Sequence, residues 1–335
     1  MLNLNTFSKV WPQSPSCPKG RKSHSPERQK TICAPVTCQG VGVHSGQQIT
    51  MTLKPASVGT GVVFIRTDQS ELQNIIPARW DYVVDTMLCT KIGNSHGVTV
   101  STIEHIMAAL YACEIDNLTI ELDGPEVPIM DGSAEPFVDL IETVGVSQQD
   151  ALRGVIKILK TVTVKRGKSV VSLSPAGTFS VSCQFNFDER AKLAAQFYEF
   201  DGSPASFKQD IIRARTFGFR QEVEHLWSLG LAKGGSLENA VVIDQDHILN
   251  PEGFRYPDEC VRHKILDALG DLYLAGAPIE GHFKGVQCGH HMQNMLLNAL
   301  FADPLAWCLV FPEREDLKSW NLVSSTIKTE TAAVA

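Results

Sequence analysis

The order of strands and helices restricts this chain to few architectures. Short alternating segments such as QITMTLKPA (48–56) and NLTIELDG (117–124) have the period-two pattern of half-buried strands. GVIKILKTVTV (154–164) and KSVVSLSPA (168–176) repeat the pattern after residue 150. Helical periodicity is confined to 101–113, 134–144, 208–214, 219–230, 258–275 and 290–302. Strands cluster and helices stand apart, so the spacing predicts an α+β fold rather than a βαβ parallel sheet. A length of 335 residues suits two domains, each able to bury a core of its own. The segment VGVSQQDALRG (144–154) is the expected boundary between domains at 31–150 and 151–320. Residues 1–30, rich in Pro, Ser, Lys and Arg, read as a disordered leader, with an organelle transit peptide as the alternative. Residues 321–335 read as a frayed tail, and no internal sequence repeat stands out.

Charge and cysteine usage remove several function classes. With a net charge of −7 and no basic cluster beyond the leader, a nucleic-acid partner is not expected. No apolar run is long enough to span a bilayer. Nine cysteines, an odd number without a CxxC pair, speak against a disulfide framework or a four-cysteine zinc knuckle. The expectation is a cytoplasmic protein.

The predicted helix CVRHKILDALGDLYLAG (260–276) carries an unusual line of side chains. Asp258 suits its N-cap and Gly276 its end. Val261, Ile265, Leu266, Leu269, Leu272 and Tyr273 form one apolar arc, while His263, Asp267 and Asp271 fall opposite it, beside the bare Gly270. A His and an Asp four residues apart face each other and can close on one metal ion. Asp271, a turn further, is placed to orient another group. The plain alternative is a solvated face with a weak His–Asp pair. VTVSTIEHIMAALYAC (98–113) supplies a third ligand in His105, with Glu104 flanking the metal as a base. Here the alternative is a capping box in which Glu104 bonds back to the Ser101 cap. Two imidazoles and one carboxylate leave a fourth position open, the pattern of catalytic zinc, Zn2+. The remaining positive charge brings the pKa of water in that position towards about 7, within reach of a carboxylate base. In GHFKGVQCGHHMQNMLLNAL (281–300), His290 or His291 begins a helix, and Asp271 would hold such a histidine protonated against the helix dipole.

Eight stretches occur together in order: GVGVHSG (40–46), TMLCT (86–90), STIEH (101–105), PIMDGSAEPF (128–137), RARTFGF (213–219), GLAKGGSLENAVV (230–242), RHKILDALGDL (262–272) and CGH (288–290). From about residue 31 to about 320 the chain thereby resembles the UDP-3-O-acyl-N-acetylglucosamine deacetylases, zinc enzymes of bacterial lipid A synthesis. The resemblance implies two similar α/β sandwich domains, each with a small insert, and an active site in the cleft between them. It implies His105, His263 and Asp267 as zinc ligands and Glu104 as general base. It implies His290, supported by Asp271, as a histidine that stays cationic or donates a proton to the leaving amine, and Thr216 as the residue bonding the oxyanion. Lys264 would lie near the substrate and Phe217 beside the sugar nucleotide. The insert at about 219–241 would wall a passage for the acyl chain; Val223, Leu226, Leu229, Leu231, Leu237 and Val242 in and around it suit an apolar lining, with ordinary core packing as the plain alternative. The implied partner is a UDP-linked acylated amino sugar; a monomer is expected.

Two positions depart from the family pattern. Gln287 stands where a basic residue near the diphosphate is expected, and Lys284, if both lie on one strand, points to the other face. His291 replaces a small residue and would add a donor or crowd the site. GVGVHSG lacks a full dinucleotide fingerprint and reads as a hairpin bend bringing His44 near the cleft. KGGS (233–236) is not a P-loop, MDGS (130–133) reads as a structural turn, and His24, His96, His225, His247 and His282 are assigned to surface or packing. Two rival functions remain: a zinc amidase with altered sugar-nucleotide preference, and a catalytically silent metal-binding homologue.

Overall fold

Ile49, Met51 and Leu53 alternate inward along the strand Gln48–Pro55, as Leu118, Ile120 and Leu122 do along Leu118–Leu122. These strands seed the first of two five-stranded sheets. In this computed structural model, which describes residues 27–187, 193–228 and 230–311, the spatial order of that sheet is Val36–Val41, Gln48–Pro55, Leu118–Leu122, Val62–Arg66, Ile75–Pro77. Only Leu118–Leu122 and Val62–Arg66 run parallel; the other neighbours are antiparallel. The second sheet repeats this plan: Val162–Arg166, Ser169–Ser174, His282–Val286, Ser180–Phe185, Gln196–Phe200, with the third and fourth strands parallel. Hydrophobic alternation preserves the topology without preserving the sequence, so no repeat is visible along the chain.

Around each five-stranded sheet the chain runs four of its strands, an insert, a helix, the fifth strand and a helix. The first half contains α1 (Glu104–Ala112) and α2 (Glu135–Val144), and its insert is a small sheet of Val83–Asp85, Lys91–Gly93 and Thr99–Val100. The insert of the second half opens with a single turn, α3 (Pro204–Ser206), running into a π turn at Phe207–Ile211 where a helix over 208–214 is expected. It continues through strand Phe217–Phe219, α4 (Arg220–Ser228) and strands Val241–Asp244 and His247–Ile248. α5 (Glu259–Tyr273) and α6 (His290–Ala302) complete the half. α1 packs on α5, and α5 also lies on the strands Ser180–Phe185 and Gln196–Phe200, so one continuous core spans both halves. The repeated plan supports reading 31–150 and 151–320 as two domains, which we propose.

Three local expectations are corrected. GVIKILKTVTV is two strands in different sheets, Val155–Ile158 pairing with Ile279–Glu280 and Trp307–Val310, and Val162–Arg166 opening the second five-stranded sheet. The expected boundary contains a strand, Val146–Leu152, paired with Arg28–Ile32, so the last residues of the expected 1–30 leader belong to a strand. Asp258 takes the N-cap position as expected but its side chain bonds no helix N–H; its carboxylate pairs with the Arg262 side chain at 2.6 Å, whereas Gly276 ends the helical segment at a φ of +86° that favours glycine. Residues 1–26 of the leader, the 321–335 tail, His24 and Leu229 lie outside the described residues.

Candidate active site

α5 is buried on every side, only Arg262 and Lys264 reaching partial exposure, so the line of His263, Asp267 and Asp271 is not a solvated face. It looks instead at α1. Gly270 permits this approach, because a Cβ there would lie 1.9 Å from the Glu104 carbonyl oxygen. α1 itself begins at Glu104, two residues later than a cap at Ser101 requires, and Ile103 caps it without a side-chain bond. The Glu104 carboxylate accepts a hydrogen bond from the Thr90 N–H at 3.0 Å, so the capping-box reading fails and the side chain remains available to the site.

His105, His263 and Asp267 come together as expected, with one donor atom from each lying within 4.8 Å of the others. Asp267 Oδ1 is 3.2 Å from His263 Nε2 and 3.6 Å from His105 Nε2. The His263 Nδ1–H donates to the Ala214 carbonyl at 2.9 Å, which fixes the tautomer and leaves the Nε2 lone pair free for a ligand. Lys264 Nζ takes the other Asp267 oxygen at 2.7 Å, while buried Oδ1 has no hydrogen-bond partner. An orphaned buried carboxylate oxygen between two imidazole nitrogens fits a divalent cation. Burial disfavours charge on His263 and keeps its pKa below the ordinary value, as a ligand requires. Burial acts upward on Asp267, but His263 and Lys264 outweigh it and hold the carboxyl well below its usual range.

On the α6 side, His290 Nδ1 bonds Asp271 Oδ2 at 2.8 Å, and Nε2 lies 3.9 Å from Glu104 Oε1. Burial opposes the charged imidazole, yet Asp271 and then Glu104 raise its pKa to about 10. Burial raises the pKa of Glu104 despite the opposing His290 and His105. A carboxylate pushed up beside an imidazole held charged is the signature of an acid–base pair.

RARTFGF crosses this centre because Arg215 is tied to α5. Its N–H and Nε both donate to Glu259 Oε1, at 3.0 and 2.9 Å. Thr216 is fixed through its backbone, donating to Gly132 O and accepting from Val241 N, each at 2.8 Å. MDGS thus does more than turn: Gly132, at φ +83°, lies where a Cβ would meet Asn239 O at 2.1 Å. Phe217 stands edge-on to His263, with ring centroids 6.3 Å apart and Lys264 Nζ 5.3 Å from its own centroid.

A cavity of about 810 Å³ opens from these groups. Glu104, His105, His263, Asp267, His290, Thr216, Phe217 and Lys264 line it together with Val223, Leu226, Leu237 and Val242. Leu231 is absent from the lining, whereas Leu88, Ile129 and Leu249, which had no expected role, are present. His44 reaches the cavity as expected, its loop fastened by Glu126, which accepts from the N–H groups of His44 and Ser45 at 3.0 and 2.9 Å. His291 does not crowd the site: its ring meets Thr86 and Arg166. Gln287 lies beyond the strand in a left-handed turn at φ +50°, so the argument from alternating strand faces does not apply to it. Its amide is engaged at both ends with the backbone of Asn186. Thr90, another residue without an expected role, bonds both Glu104 and Asp271.

Converging imidazoles and a carboxylate, set beside an acid–base pair at an apolar cavity, define a metal-dependent hydrolase on an α+β scaffold. Comparison with known proteins narrows the class. The family model described as "LpxC: UDP-3-O-acyl N-acetylglycosamine deacetylase" matches residues 29–302. The chain is 48% identical over 294 residues to the UDP-3-O-acyl-N-acetylglucosamine deacetylase of Myxococcus xanthus, covering 88% of this chain and 93% of that one. It is 50% identical over 279 residues to the enzyme of that name from Phenylobacterium zucineum, covering 83% and 95%. For the one from Shewanella loihica the values are 47% over 290 residues, with 86% and 94% covered. The chain belongs to the UDP-3-O-acyl-N-acetylglucosamine deacetylase family.

Proposed function

We propose that this protein is a zinc-dependent hydrolase that removes the N-acetyl group of UDP-3-O-acyl-N-acetylglucosamine. The products are acetate and UDP-3-O-acyl-glucosamine, and the reaction belongs to lipid A biosynthesis. The observation that carries this reading is the buried Glu104–His290 pair facing the His105, His263 and Asp267 cluster at the mouth of an apolar cavity. His105, His263 and Asp267 would hold the ion, and two imidazoles with one carboxylate suit zinc. Once bound, zinc supplies Lewis acidity and lowers the pKa of water beside it.

The chain's own residues perform the proton transfers. Glu104, with a raised pKa and with Oε2 steadied by Thr90, accepts the proton of the attacking water. His290 gives its proton to the departing nitrogen from Nε2, since Nδ1 is committed to Asp271. Thr216 lies against the reacting carbonyl and stabilises the oxyanion. Lys264 neutralises Asp267 and, with Phe217, faces the sugar nucleotide. Val223, Leu237 and Val242 take the acyl chain. The proposed working unit is a cytoplasmic monomer, with sedimentation as the check on oligomeric state. Among the described residues no helix is long and apolar enough to cross a membrane.

The direct test is acetate and free-amine release from the UDP-linked substrate by purified protein whose metal content is measured alongside. No release by zinc-loaded protein overturns the reading and favours a silent metal-binding homologue. One observation favours the altered-preference amidase as a second reading. With its amide held by the backbone of Asn186, Gln287 offers a diphosphate no positive charge. Equal rates on the UDP-linked substrate and the same acylated sugar without UDP would establish that reading.

Two further results are expected. The kcat profile is bell-shaped, because base action needs Glu104 ionised and acid action needs His290 protonated. Its alkaline limb falls at or below about pH 10, since a bound cation draws His290 below the value set by Asp271 and Glu104. Stopped-time assays from pH 5 to 11 check this. Leu237→Arg, placing a charge on the apolar wall, raises KM for long-acyl substrates about tenfold or more and leaves a short-acyl analogue within twofold. Similar KM changes for both chain lengths would remove Leu237 from the acyl passage.

A further inference from the structure

Thr90 belongs to none of the groups that bind metal or line the cavity, yet it touches both limbs of the acid–base pair. It lies in the first insert, immediately before the strand Lys91–Gly93, and is 1% exposed. Its N–H donates to Glu104 Oε2 at 3.0 Å, and its hydroxyl donates to Asp271 Oδ1 at 2.5 Å. Its carbonyl accepts from the N–H of Ile103, the residue that caps α1. Asp271 in turn holds His290 Nδ1 through its other oxygen at 2.8 Å. Glu104, Asp271 and His290 come from α1, α5 and α6, and one residue of a fourth element joins them.

We propose that Thr90 is a positioning residue for the deacetylation: it fixes the base and the carboxylate behind the acid in one relative geometry. The inference rests on the deacetylase reading. Two carboxylates converging on a buried point repel each other, and each needs a donor on the side facing the other. Thr90 supplies both donors from a single residue. No other donor among the described residues reaches Asp271 Oδ1, so without the hydroxyl that oxygen is bare and the carboxylate is free to rotate away from His290. The consequence falls on protonation of the leaving amine, a step after substrate is bound. kcat therefore changes and KM does not.

Thr90→Val keeps the shape and the backbone N–H and removes only the hydroxyl. A lost hydrogen bond to a charged group predicts a fall in kcat of roughly tenfold to a hundredfold. KM stays within twofold, metal content matches the wild type, and Thr90→Ser, which restores the hydroxyl, recovers most of the loss. In an Asp271→Asn background, Thr90→Val costs less than twofold, because the route it acts through is already broken. A proton NMR signal from His290 Nδ1–H, assigned by its loss in His290→Asn, shifts in Thr90→Val without any turnover being required. Should Thr90→Val not fold, Thr90→Ala enters the same comparisons. The proposal is overturned if the hydroxyl-deleted variant keeps kcat within twofold of the wild type, if KM moves instead of kcat, or if its full cost persists beside Asp271→Asn. A wild type that releases no acetate sinks the deacetylase reading instead. The imidazole signal alone then decides, and an unshifted signal overturns the positioning role.

Discussion

Glu104→Gln turns over about 10²- to 10⁴-fold more slowly than the wild type while holding the same amount of metal. The amide keeps the size of the side chain and still presents an oxygen to the Thr90 N–H, so the start of α1 and the loop around Thr90 are undisturbed. What disappears is the basic oxygen. Glu104 is next to His105 in sequence, but adjacent helical residues diverge by about 100°, and its carboxylate is outside the His105, His263 and Asp267 cluster. Loss of the base therefore need not cost the ion. The measurement is kcat on the UDP-linked substrate together with elemental analysis of both proteins. Turnover within tenfold of the wild type would end the assignment of Glu104 as base; loss of metal would make it a ligand.

Much of this site was legible because ionisable residues broke a hydrophobic rhythm. His263, Asp267 and Asp271 were conspicuous opposite the apolar arc of α5, with the bare Gly270 beside them, though only the structure shows that Gly270 admits the Glu104 backbone. What the periodicity did not contain was the partner. An amphipathic pattern says which side is greasy, not whether the polar side meets solvent or a second helix, and here α1 covers it. The S-T-I-E stretch misled for a related reason. A capping box is a local bond, and a tertiary donor, the Thr90 N–H, competed for the same carboxylate and won. Thr90 itself gave no signal, since a neutral loop residue makes no pattern and acquires meaning only when α1 and α5 arrive around it. The duplicated sheet order was hidden because topology demands alternation and turns, which many sequences satisfy. Gln287 was misplaced because a left-handed turn ends the strand before it, and strand alternation holds only within the strand.

His263→Ala is expected to be as inactive as Glu104→Gln for a different reason, and the pair of variants separates holding the ion from using it. Removal of the imidazole takes away one of three donors and the bond from Nδ1–H to Ala214 O that steadies the RARTFGF segment. Groups that merely orient a ligand change metal affinity about 10- to 100-fold, so loss of a ligand itself should exceed the upper figure. At metal concentrations that saturate the wild type, the variant then purifies with little metal and releases acetate at background rate. A ligand that binds only the folded state stabilises it by RT ln(1 + [L]/Kd), which gives a readout independent of turnover. Chelator lowers the Tm of the wild type and of Glu104→Gln by similar amounts, and leaves that of His263→Ala unmoved. Should His263→Ala retain stoichiometric metal and the full chelator-sensitive Tm shift, the ion is held elsewhere. In that case the convergence of His105, His263 and Asp267 around an unpartnered carboxylate oxygen requires another explanation.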